Sequence, residues 1–403
     1  MKRLQGSLLA LALAATMGVA QAQISDGVIK IGVLSDMSSL YTDLAGAGSV
    51  VAAKMAVEDS GIEKRGYKVE ILSADHQNKA DVGSNIARQW YDVDKVDMIV
   101  DVPNSGVALA VNQITRDKGK AFLAVGPGSS DLTGKACSPN TVHWAYDTWM
   151  LANGTGTAIT KQGGDTWFFI AADYAFGAAL ERDTTAAVLR NGGKVIGGVK
   201  VPLNTQDFSS FLLQAQASKA KIIGLANAGG DTTNSIKQAA EFGIVKGGQK
   251  LAGLLVFLTD IHALGLQTAQ GLTFTETFYW DMNDQTRAFA KRFSAADKGI
   301  YPTMVHAGVY ASVLHYLKAV EALKSDDGTK VIVKMKELAT DDPLFGKGSI
   351  RVDGRKIHPA YLVQVKTPAE SKAPWDYYKI VATIPADQAF RPLTDGDCPL
   401  VMK

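Results

Sequence analysis

From residue 28 onward, short apolar runs of strand length alternate with stretches of helix length, and this alternation restricts the fold more than any other feature. Residues 28–35, 68–74, 96–102 and 121–125 read as strands, separated by helical stretches at 42–59, 80–91 and 106–117. The series then restarts. Strands at 166–172, 194–201, 221–226 and 250–257 alternate with helices at 176–190, 208–218 and 232–242. Strands joined through helices pair in parallel with right-handed crossovers. The expected class is α/β, with two doubly wound parallel-sheet lobes in succession. A crossing strand at 271–280, helices at 285–294, 304–323 and 330–338, and strands at 348–352, 361–366 and 377–384 complete the chain. The last three strands read as an antiparallel ribbon finishing one lobe.

The start of the chain has the form of an export signal. Lys2 and Arg3 precede an apolar run from Leu8 to Val19, and Ala20-Gln21-Ala22 offers small residues at a cleavage site, predicting a mature start at Gln23. Removing Lys2 and Arg3 leaves 40 basic residues (42 − 2) against 40 acidic ones. A near-neutral chain without a basic run argues against nucleic acid or an anionic membrane as its main partner. The chain has two cysteines, Cys137 and Cys398. In an oxidising compartment the pair reads as a disulfide, the alternative being two free thiols.

Chemistry concentrates in loops that leave strand ends. They are 35–41 (SDMSSLY), 102–106 (VPNSG), 120–132 (KAFLAVGPGSSDL), 172–177 (ADYAFG) and 226–231 (ANAGGD). In doubly wound sheets such loops gather at the carboxyl edge, where ligands bind. Gly126-Pro127-Gly128 ends a buried strand, and Ser129, Ser130 and Asp131 follow as N-cap residues, a sequence suited to a small anion. An ordinary strand-to-loop turn has the same composition.

Catalytic signatures are scarce. Ser105 and Ser129 lack the flanking glycines of a nucleophile elbow, no Gly-Lys pair continues as a phosphate loop, and the six histidines have no metal-ligand spacing. The expectation is a non-enzyme with neither metal nor cofactor. An exported α/β hydrolase using Ser105 or Ser129 stays open, since triads are defined by geometry rather than spacing.

The segments 31–41, 73–83, 166–177, 222–232 and 306–310 (HAGVY) resemble, in this order, the periplasmic substrate-binding proteins of ABC importers, in the leucine/isoleucine/valine-binding family. The resemblance implies a type I periplasmic-binding fold with three hinge crossings, near Tyr146, Phe274 and Gly346. It divides the chain into an N-terminal lobe of 23–146 plus 275–346 and a C-terminal lobe of 147–274 plus 347–403. It implies a monomer that traps a small carboxylate and delivers it to a membrane permease. Tyr41, Asn104 and Ser105 would stand on the first-lobe wall. Gly126, Gly128, Ser129 and Ser130 would hold the ligand carboxylate, with Tyr174 and Asn227 facing them from the second lobe. Asp260 would meet an ammonium group. Phe278, Tyr279, Trp280 and Tyr310 would supply aromatic walls. Two cargoes fit this pattern: branched-chain or other neutral amino acids, and aromatic carboxylates such as hydroxycinnamates or benzoates.

Overall fold

The computed structural model describes residues 24–401, so the expected signal segment at 1–22 lies outside the described residues. The first series comprises β1 (Ile29–Ser35), α1 (Gly46–Ser60), β2 (Val69–Asp75), α2 (Ala80–Gln89), β3 (Met98–Asp101), α3 (Ser105–Lys118), β4 (Ala121–Ala124) and β5 (Thr141–His143). These strands form a parallel sheet in the order β2–β1–β3–β4–β5. The central strand β1 is almost wholly buried. Its Gly32 permits a close approach, because a Cβ there would stand 2.5 Å from the Trp90 ring. α1 begins four residues later than its periodicity suggests, since residues 41–45 make a loop before it.

A short helical run, α4 (Thr148–Leu151) and α5 (Thr157–Lys161), leads to the second series. There β6 (Thr166–Ala172), α6 (Ala175–Arg190), β7 (Lys194–Val201), α7 (Ser209–Ala217), β8 (Ile222–Ala226), α8 (Gly230–Glu241) and β9 (Lys250–Gly253) alternate, followed by α9 (Leu258–Leu264) and α10 (Leu266–Ala269). This parallel sheet runs β7–β6–β8–β9, the same order as the first four strands of the other sheet. Two lobes of one build result.

The remaining chain serves both lobes. It contains β10 (Thr273–Glu276), α11 (Asp284–Ala296), α12 (Met304–Leu323), α13 (Gly328–Glu337), β11 (Thr340–Asp342), β12 (Gly346–Ile350), β13 (Lys356–Ile357), β14 (Ala360–Val365), β15 (Tyr378–Ile384) and α14 (Ala386–Ala389). α12, buried along most of its length, packs on α1, β3 and β4, while α13 packs on β4. The strands after residue 340 form two small antiparallel sheets rather than one ribbon, β11–β12–β13 beside α13 and β10–β14–β15 on the second lobe. Arg355 also bridges to His143, the end of β5. β11, β12 and β13 thus rest beside the first lobe, whereas β14 and β15 pair with β10 on the second.

Two features tie these segments together. Arg355 is fully buried and donates to the Tyr146 carbonyl and, at 3.4 Å, to the Asp147 carboxylate, bracing the segment between β5 and α4. Cys137 and Cys398 are joined in a disulfide across 261 residues, fixing the tail beside the loop between β4 and β5.

Candidate functional site

The two lobes meet over a slot built from strand-end loops. From the first lobe come Tyr41 and Leu44 after β1, Pro103 after β3, Gly126 and Gly128 after β4, and Tyr146 after β5. Opposite stand Tyr174 and Phe176 after β6, Ala228 after β8, and Leu255 and Phe257 after β9. This is the carboxyl edge of both sheets, where helix and strand ends leave room between layers. The free cavity is only ≈ 10 Å³, about the space of one water. The walls are in contact across it. Tyr41 and Tyr174 share a hydrogen bond between their hydroxyls, and a Cβ on Gly229 would stand 2.7 Å from the Leu40 carbonyl. Gly229 also has φ +57°, a conformation open to glycine at little cost.

No basic side chain is among the described residues that line the slot; its polar groups are phenols and backbone. Burial, with the neighbouring phenol adding to it, pushes the Tyr41 hydroxyl well above its usual range, and burial does the same at Tyr174. Both stay neutral donors at any physiological pH. Tyr146 donates to the Gly126 carbonyl, which presses its ring against Gly128. A Cβ on Gly128 would lie 2.7 Å from Phe176 Cε2 and 3.0 Å from Tyr146 Cε2, so only glycine leaves the rings where they are.

Two devices hold the loops in place. Asp101 and Val102, at the end of β3, are fully buried at φ +84° and +60°. A left-handed β-branched residue costs on the order of 1–3 kcal/mol, which the surrounding packing must supply. The turn it makes puts Pro103 against the slot. On the other side, His306 at the start of α12 accepts the Thr303 N–H at Nδ1 (3.1 Å) and donates from Nε2 to the Ala45 carbonyl (2.8 Å). Thr303 donates its hydroxyl to the Leu44 carbonyl. The loop bearing Tyr41 and Leu44 thus hangs on the end of α12. Burial lowers His306 to about 4, keeping it neutral in this role.

Of the expected site residues, Tyr41, Gly126, Gly128 and Tyr174 converge on the slot. The others lie elsewhere. Asn104 caps α3, accepting the N–H groups of Gly106 and Val107. Ser105 Oγ accepts the Ser129 N–H, and Ser129 Oγ accepts the Asp131 N–H. Ser130 donates to Asp183 of α6 at 2.7 Å and takes a bond from Arg182. Asn227 accepts the Thr232 hydroxyl inside the first turn of α8. Asp260 Oδ2 accepts the Phe257 N–H at 2.9 Å as a helix cap, and burial pushes its carboxyl up to about 7. Phe278 packs on Phe289, Tyr279 accepts the Tyr377 and Tyr378 N–H groups, Trp280 donates to the Trp375 carbonyl, and Tyr310 donates to Asp59. Phe278, Tyr279 and Tyr310 are buried and Trp280 is half-buried against them; none of the four lines the closed slot. The rings that do form the walls, Tyr146, Phe176 and Phe257, have no sequence mark distinguishing them from core, although Phe176 stands two residues past Tyr174 in the same loop.

Among the described residues, no histidine is hydrogen-bonded to Ser105 or Ser129. Each of the six histidines is hydrogen-bonded to something other than a serine: His76 to the Asn78 N–H, His143 to Pro127, His262 to Tyr377, His306 to Thr303 and Ala45, His315 to Met335, and His358 to Pro359 and Trp144.

A family model described as periplasmic binding protein matches residues 28–372. A crystal structure of a periplasmic binding protein from Burkholderia mallei is 52% identical, with a TM-score of 0.91 over 93% of this chain and 99% of that one. A branched chain amino acid ABC transporter periplasmic ligand-binding protein from Burkholderia xenovorans is 42% identical, TM-score 0.82, over 92% of this chain and 99% of that one. An ABC transporter solute binding protein from R. palustris, solved with benzoate, shares the fold at 20% identity and TM-score 0.80, over 89% and 97% of the two chains.

Proposed function

Because this chain belongs to the periplasmic binding protein family, we propose that it captures a small carboxylate between its lobes and hands it unchanged to the membrane permease of an ABC importer. In this reading it is exported, cleaved after Ala22, and works as a single chain. The lobes part to admit the ligand, since the slot as closed holds no more than a water. Closing returns Tyr41 and Tyr174 to each other's reach, now with an acceptor between them. Phenols can donate to a carboxylate without bringing a permanent charge into a dry site, so the empty closed form carries no unpaired cation.

The observation that carries the choice of ligand is the lining itself. Tyr41, Tyr146, Tyr174, Phe176 and Phe257 surround the slot, and Asp260, the acid an ammonium group would need, is already engaged by the Phe257 N–H. Flat rings offer large apolar area with few rotamers, which favours an aromatic acid. A neutral amino acid is the second reading, supported by the 42% identical Burkholderia xenovorans protein.

The test is mass spectrometry of the ligand carried by protein purified without refolding, followed by calorimetry with 4-hydroxybenzoate and L-leucine. Gly128→Ala should keep the fold while weakening the bound acid by tenfold or more, on the order of 1.4 kcal/mol, because its methyl displaces the Tyr146 and Phe176 rings. Full affinity in that variant would remove the slot as the binding site. Binding of L-leucine but no aromatic acid would leave the second reading standing. Consumption of the ligand on incubation would defeat the transport role.

A further inference from the structure

Beside the slot, two glycines of the second lobe seat a loop of the first. Outside its own helix and chain neighbours, a Cβ on Gly230 would meet one atom within 4 Å, Leu40 Cδ1 at 2.8 Å. A Cβ on Gly229 would have the Leu40 carbonyl at 2.7 Å and the Tyr41 ring at 3.2 Å as its nearest neighbours. Leu40 lies in the loop after β1, while Gly229 caps α8 and Gly230 opens it. The contact therefore joins the carboxyl edges of the two sheets. None of the three residues lines the slot, although the adjoining Tyr41 and Ala228 do.

Both sides of the contact are stiff. The buried Asp36 carboxylate accepts the N–H groups of Ser39 (2.9 Å) and Tyr41 (2.8 Å), on either side of Leu40, and a further bond from the Asn78 amide. Hydrogen bonds to a carboxylate are stronger than neutral ones, so the Leu40 backbone is held and only its side chain can turn. Across the gap, Asp231 accepts the Asn204 N–H and Asn227 accepts the Thr232 hydroxyl, fixing the first turn of α8. Gly229 stands at φ +57°, where any side chain brings strain of its own. Gly230 has no such φ, and alanine is the better helix former. A methyl at Gly230 thus suits its own lobe and is felt only where the lobes meet.

Building on the closing trap described above, we propose that Gly229 and Gly230 are the stop on which Leu40 seats. They are positioning residues: they set how far the lobes close, and so bring the Tyr41 and Tyr174 hydroxyls to one ligand. With hydrogen at both positions, the Leu40 carbonyl reaches the α8 turn and the two phenols meet. A methyl in between holds the lobes apart without touching the cargo.

The test is stopped flow with 4-hydroxybenzoate and L-leucine on the native protein, Gly230→Ala, Leu40→Ala and the double variant, with urea unfolding of each. Gly230→Ala should release the bound probe about three- to tenfold faster, with association within about twofold, the size set by how readily the Leu40 side chain turns aside. Its urea midpoint should be no lower than native. The double variant should release within about twofold of Leu40→Ala, because the shortened side chain makes room for the methyl. Native release in Gly230→Ala, or faster release that the double variant does not relieve, would overturn the stop while leaving the carrier role intact. A readout free of ligand comes from Leu40→Cys/Gly230→Cys treated with a one-carbon bis-methanethiosulfonate, which should bridge the two thiols within one chain. Failure to bridge would overturn the contact. Bridging in a protein whose native form binds neither probe would defeat the choice of cargo and leave the stop standing.

Discussion

Asp260 shows how one residue can satisfy a sequence expectation of position and still do different work. It stands in the first turn of α9 next to the slot, yet its carboxyl faces the backbone of its own helix and is raised to about 7 by burial. An acid whose folded value lies above its unfolded value binds more protons when folded. Its contribution to stability is therefore full below the ordinary carboxylate value near 4 and is lost as pH rises through about 7. Asp260→Asn keeps the acceptor and removes the titration. Between pH 5 and 8 the variant should gain roughly 1–3 kcal/mol on the native protein, read by urea unfolding at each pH. Parallel curves for the two proteins would contradict the assigned burial. Small polar residues were legible in the sequence as strand-end chemistry, but not by role. Asn104, Ser129 and Asn227 bind their own backbone or near neighbours, and nothing in residue type separates such a cap from a ligand donor.

Among the elements, the long regular ones were readable and the short ones were not. α12 spans Met304–Leu323, the bounds its periodicity implies, and β7 likewise spans Lys194–Val201. β5 went unread because three residues carry no period, and α4 and α5 because Gly154 and Gly156 interrupt them with a wider turn. The aromatic walls differ in kind: Tyr279 and Tyr310 look like slot residues in sequence, and tertiary packing seats them in the core beside the closed slot's own rings. α6 is one element through which the lobes hold each other outside the slot. Its Arg182 donates to Ser130 and Asp131 of the first lobe, and the neighbouring Asp183 accepts from Ser130 and Thr148. Contacts shared by both lobes favour the closed form alone. Arg182→Gln should thus speed ligand release about three- to tenfold with little change in association, measured by stopped flow; the modest size follows from the half-exposed ion pair. An unchanged release rate would make α6 a bystander.

For the whole molecule, the two-lobe plan was written in the alternation of strands and helices, and the repeated strand order bears it out. What the alternation did not reveal is which sheet the short late strands join: β12 packs on α13 and pairs with β13, while β14 and β15 pair with β10. The tail is held by the Cys137–Cys398 bond, which closes a loop of 261 residues. Cross-links of such long loops stabilise by about 2–5 kcal/mol, mainly by restricting the unfolded chain. Cys398→Ser should lower the thermal midpoint by several degrees. Because Arg391 and Arg355 still anchor the neighbouring segments, it should leave ligand affinity within about twofold. A large affinity loss would instead tie the tail to closure.

The packing of α12 on α1 has a consequence for how the molecule is made. Residues of α1 near 50 pack on β1 and β2 and, most extensively, on α12 near residue 310, so this part of the interior is completed only after most of the chain has been made. The intervening lobe is an insertion that can organise first, while the earlier segment waits. A polypeptide wired this way finishes the packing of its earliest helix among its last steps.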